Sequence, residues 1–91
     1  MEEYLNQIKT ISGEVWNFFK GALASWNPEK EEWWEGLISL SDKCIMKYKG
    51  TKYYQYALKY MGVVMDEIER KYKEERNVSS KRISENGNED K

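Results

Sequence analysis

Large apolar side chains recur at alternating spacings of three and four along most of this chain, and the rhythm breaks at only two places. Tyr4, Ile8, Ile11, Val15, Phe18 and Ala22 form the first row, with Leu5, Phe19, Leu23 and Trp26 beside it. Residues three and four apart share one face of an α-helix, so this row predicts an amphipathic helix over about 2–24. Trp34, Leu37, Ile38, Ser41, Cys44, Ile45 and Tyr48, flanked by Trp33 and Leu40, predict a second over about 28–48. Tyr54, Ala57, Leu58, Met61, Val64, Met65, Ile68 and Tyr72 predict a third over about 52–76. A charged fraction of 34% with a single proline suits solvated helices better than a β-sandwich.

Both breaks carry helix punctuation. Ser25-Trp26-Asn27-Pro28 ends the first helix; Asn27 reads as an N-cap and Pro28 as the first residue of the second helix, followed by Glu29, Glu31 and Glu32 where the helix dipole favours anions. Lys47 and Lys49 suit the end of that helix, Gly50 a left-handed cap, and Thr51 the N-cap of the third. Short connections make consecutive helices antiparallel neighbours. The expected fold is therefore all-α, an antiparallel three-helix bundle. Its charges suit that topology: the acidic start of the second helix falls beside the basic end of the third, and Glu2 and Glu3 fall near Lys47, Lys49 and Lys52. Carboxylates precede cations by four at Asp66/Arg70, Glu67/Lys71 and Glu69/Lys73. Residues 77–91 hold only Val78 and Ile83 as large apolar groups and read as a disordered tail.

Ninety-one residues make one domain with a thin core. Gly13, Gly21, Gly36 and Gly62 lie inside the expected helices, each costing about 1 kcal/mol against alanine. Gly21 and Gly36 are expected to make room for Trp16, Trp26, Trp33 and Trp34, gathered where the first helix meets the second; the competing reading is that the first helix breaks near Gly21. The acidic start Met1-Glu2-Glu3-Tyr4 does not read as a secretory leader, and no apolar run nears the ~18–20 residues of a membrane span. With one cysteine, no internal disulfide and a reducing compartment are expected, so the cytoplasm is the expected location.

Catalytic apparatus is hard to assemble from these residues, and neither an enzyme nor a bound cofactor is expected. Histidine is absent, which removes the commonest general base and the usual metal ligand. Cys44 falls on the core face and reads as an inert buried thiol. Glu32-x-x-Glu35 and Asp66-x-x-Glu69 are carboxylate pairs one turn apart, a form in which hard cations are bound. Their spacing resembles that of helical nucleotide pyrophosphohydrolases of the MazG type, with the acid order reversed in the second pair. Helix-start acids and surface ion pairs account for all four, so no metal is expected.

Two surface readings remain. From Lys43 to Met65 there are five lysines and no acid, interleaved with aromatics. Lys47, Lys49, Lys52 and Lys59 are the candidates for nucleic-acid contact, since lysines attract phosphates and rings stack on bases. The leading reading uses Tyr53, Tyr56, Tyr60 and Val63, which fall to one side of the core row of the third helix, with Met46 extending the surface. Such a tyrosine-rich face favours a protein partner or self-association. Pro28-Glu29-Lys30-Glu31-Glu32-Trp33-Trp34, then Lys47-Tyr48, then Asp66-Glu67-Ile68-Glu69-Arg70-Lys71-Tyr72 carry a resemblance over about residues 15–76. In these the chain resembles the small Trp- and Tyr-rich helical proteins encoded by prophages and mobile elements of low-GC Gram-positive bacteria. The resemblance implies an accessory role, such as binding a phage or host protein, and supplies no catalytic residues.

Overall fold

Three helices form where the apolar rows require them: α1 (Glu2–Ala24), α2 (Glu31–Met46) and α3 (Tyr54–Asn88). A computed structural model describes the backbone of residues 1–88 and the side chains of residues 1–76. The disordered tail expected for 77–91 lies outside the residues described with side chains. Among the described residues no helix is long and apolar enough to cross a membrane.

Side-chain contacts give the direction of each helix. Tyr4 faces Tyr53, Ser12 bonds Tyr56, and Trp26 bonds Glu75, so α1 and α3 ascend together. Trp34 lies against Tyr72 and Lys47 reaches Glu14, so α2 descends beside both. The core is the meeting of the three rows: Ile11, Val15 and Ala22 of α1, Leu37 and Ile45 of α2, and Ala57, Met61, Val64 and Ile68 of α3. Burying a large aliphatic side chain contributes about 1.5–3 kcal/mol, so so few residues must each be well packed. Ser41 is buried among them, and its hydroxyl donates to the Ile38 carbonyl at 2.9 Å.

The first connection departs from the expected cap. Asn27 and Lys30 close a turn, with Lys30 N–H donating to the Asn27 carbonyl at 3.1 Å, and Pro28 occupies its second position. Helix α2 begins only at Glu31, with Lys30 extended before it. The Trp34 indole donates to the Pro28 carbonyl at 2.8 Å, which holds the turn against the aromatic cluster. In the second connection Gly50 is left-handed, at φ 86°, as expected. The Thr51 hydroxyl accepts from Tyr53 N–H at 3.1 Å and donates to the Tyr48 carbonyl at 2.7 Å. Turns fill the interval, so α2 stops at Met46 and α3 starts at Tyr54.

At the opposite end of the bundle, Trp26, Trp33 and Trp34 pack edge to face at 5.2 and 4.9 Å, and Trp34 continues onto Tyr72 at 5.7 Å. Each indole N–H has an acceptor: Glu75, Ser25 and the Pro28 carbonyl respectively. Trp16 does not join them. It sits on another flank of α1, edge-on to Phe19 at 6.0 Å, and is 52% exposed. The glycines do not make room for indoles either: α1 is unbroken through Gly21, and a Cβ at Gly13, Gly21, Gly36 or Gly62 would meet nothing within 4 Å.

The ion pairs also differ from those expected. Lys47 pairs with Glu14, three turns into α1, rather than with Glu2 or Glu3. In α3 Arg70 grips Glu67 with two hydrogen bonds, of 3.0 and 2.7 Å, and reaches Glu74; Lys71 reaches Glu75. Arg70 is thus engaged by Glu67 and Glu74, one turn before and after it, rather than by Asp66.

Candidate interaction surface

α3 carries more apolar surface than its two neighbours cover. One step round the helix from its core row, Tyr56, Lys59, Tyr60 and Val63 line an open depression of about 320 Å³. The Tyr56 and Tyr60 rings meet edge to face, 5.8 Å apart. The Tyr56 hydroxyl is hydrogen-bonded to the Ser12 hydroxyl of α1 at 2.8 Å, which ties this wall to the neighbouring helix. Tyr60 is half-buried against the core, whereas Val63 is 65% exposed. Three of the five residues expected at a partner surface thus come together.

Tyr53 and Met46 do not join them. The Tyr53 ring lies 6.3 Å from Tyr4 and packs against the core, with Lys52 Nζ 5.6 Å above it, so it fastens the start of α1 to α3. Met46 stands on α2, 49% exposed and outside the depression. At 3.6 residues per turn it falls away from the buried positions Leu37, Ser41 and Ile45.

A row on α1 completes the surface. Leu5, Lys9, Ser12, Trp16, Lys20 and Leu23 follow at intervals of three and four, so they share the face on which Ser12 meets Tyr56. Leu5, Trp16 and Leu23 are all exposed. The spacing was visible in the sequence, but the same residues also fit the flank of the core row.

Three of the candidate nucleic-acid lysines, Lys47, Lys49 and Lys52, lie in the second connection, and the fourth, Lys59, on α3. Lys59 belongs to the depression, Lys52 lies over Tyr53, Lys49 is exposed in the second connection, and Lys47 is paired on the α2 side. Glu14 accepts Lys47 Nζ at 2.9 Å and the Tyr48 hydroxyl at 2.7 Å, and so pins the end of α2 to α1. Burial pushes the Glu14 carboxyl up, but these two hydrogen bonds and the lysine charge outweigh it and hold it below its ordinary value. Burial, then the bond to Glu14, pushes Tyr48 up to about 12. Burial and the Glu14 charge raise the Cys44 thiol, which keeps it protonated and a poor nucleophile.

This clamp has two pH limits. A lowered carboxyl stabilises the fold above its unfolded value of 4.5 and ceases to as pH falls through the folded value. The raised Lys47 and Tyr48 stabilise it below their unfolded values of 10.5 and 10.0, and that contribution is lost as pH rises through the folded ones. Because Lys47 is mostly exposed, its pairing with Glu14 contributes only ~0.2–1 kcal/mol. Glu14→Gln should shrink the drop in melting temperature between about pH 5 and 3, and Tyr48→Phe the drop above about pH 10. Scanning calorimetry across pH checks both; unchanged acid and alkaline limbs would mean that the clamp is not formed.

Glu32 and Glu35 lie on α2, and Asp66 and Glu69 on α3. Among the described residues no three His, Cys, Asp or Glu side chains gather where they could hold a metal ion. Comparison with known families, curated proteins and solved structures gives no match to this chain.

Proposed function

We propose that this chain is a non-enzymatic interaction module, an accessory protein of prophage or mobile-element type that binds a phage or host protein. Binding uses the α3 face at Tyr56, Tyr60 and Val63. One observation carries the reading: these side chains shape an apolar depression that the core does not need, with Val63 mostly in solvent. Tyrosine supplies large, stiff contact area at little cost in side-chain entropy and is enriched at protein interfaces. Nucleic-acid contact draws less support, because Lys47 is neutralised by Glu14. The edge-to-face pairing of Tyr56 and Tyr60 also leaves no flat platform for stacked bases.

The test is affinity capture from lysate of the source cell, with and without nuclease. A protein should be recovered despite nuclease and reduced at least tenfold by Val63→Glu and by Tyr56→Ala, with circular dichroism unchanged in both variants. Recovery that needs intact nucleic acid would transfer the activity to the lysines.

A further inference from the structure

We propose that the groove between α1 and α3 receives an amphipathic helix of another protein, one whose apolar stripe is bordered by acidic residues. This rests on the interaction reading above and adds the chemistry of the partner and the contribution of α1. Because α1 and α3 ascend together, the row Leu5, Trp16, Leu23 runs alongside the row Tyr56, Tyr60, Val63. Rows with helical spacing on two adjacent helices leave a groove that accepts the apolar stripe of a third. The open depression lined by Tyr56, Lys59, Tyr60 and Val63 gives one projecting side chain an apolar seat.

Charge selects the occupant. Between Tyr4 and Ala24, and between Lys52 and Met65, the chain has one acid, Glu14. Its carboxylate is held by Lys47 and Tyr48 of α2. Lys9 and Lys20 share the face of α1 that carries Trp16, and Lys59 lines the depression on α3. The apolar rows therefore carry three lysines, and the next acid on the α3 row, Glu67, is held by Arg70. Acidic borders on an incoming helix complement them. A second copy docked about a two-fold axis would set lysine-bearing face against lysine-bearing face, which disfavours self-pairing.

The test is selection on the full chain from a displayed library of amphipathic helices of about five turns. Their stripe is fixed as leucine and isoleucine, and their border positions vary among Glu, Gln and Lys. Glutamate should be enriched over lysine at least tenfold at the borders. The selected peptide should lose at least tenfold in affinity to Trp16→Ala and to Val63→Glu. Reversing Lys9, Lys20 and Lys59 to glutamate should switch the enriched border to lysine. No enrichment, neutral or basic borders, or binding indifferent to Val63→Glu would overturn the proposal. So would a dimer of the chain alone, or adsorption to phosphatidylserine vesicles, that Val63→Glu abolishes. If the selection fails while cellular capture still depends on Val63, the interaction module stands and only the acidic-helix partner is rejected.

Discussion

Replacing Gly13, Gly21, Gly36 and Gly62 together with alanine should raise the melting temperature by roughly 8–30 °C. Each lies inside a helix, at an exposed position, with nothing within 4 Å of the Cβ it lacks. The substitution therefore adds no clash. It restricts the unfolded chain and improves helix propensity, worth about 0.5–1 kcal/mol per site. The sites share no partner, so their effects should nearly add, to about 2–4 kcal/mol. For a domain of this size 1 kcal/mol moves the midpoint by about 4–8 °C. Thermal unfolding followed at 222 nm measures it. A quadruple variant no more stable than the native chain would show that these positions are not open. Gly50 is the control: its φ of 86° is strained for any side chain, so Gly50→Ala should lower the midpoint.

Ile68→Ala should cost about 2–5 kcal/mol, the largest loss expected from one substitution here. Ile68 is fully buried in the cluster that joins all three helices, and truncating it leaves a cavity which a thin core cannot readily collapse. Small domains have a total stability of only ~5–10 kcal/mol, so the variant should lose a large share of it. In urea its midpoint should fall while the slope of the transition stays constant. Val63→Ala, five residues earlier on the solvent side of the same helix, should stay within about 0.5 kcal/mol of the native chain. Equal effects at the two positions would contradict the burial pattern.

Much of this architecture was legible because a helical core writes itself at a fixed period. Ile11, Val15, Leu37, Ile45, Met61, Val64 and Ile68 were all on the expected rows and all became core. The helix edges were less legible, because Asn-Pro suits both a helix start and a turn; the Trp34 hydrogen bond to the Pro28 carbonyl, six residues back, accompanies the turn. The Glu14 clamp was not legible, since its partners lie more than thirty residues away and Glu14 looks like any solvated surface acid. At the candidate surface, periodicity placed Tyr56, Tyr60 and Val63 on one side of α3. It could not say which neighbour covers that side. Tyr53 is met there by Tyr4, and Trp16, expected among the other indoles, instead lies along the open flank.

That separation of Trp16 from the other tryptophans gives the chain a built-in optical reporter. Trp26, Trp33 and Trp34 are packed together with their indole N–H groups bonded, while Trp16 faces water at the proposed groove. An exposed indole emits at longer wavelength and is the first to be quenched by iodide. Occupation of the groove would shift that red component and shield it, leaving the emission of the packed trio in place. Docking could then be followed on the unlabelled protein.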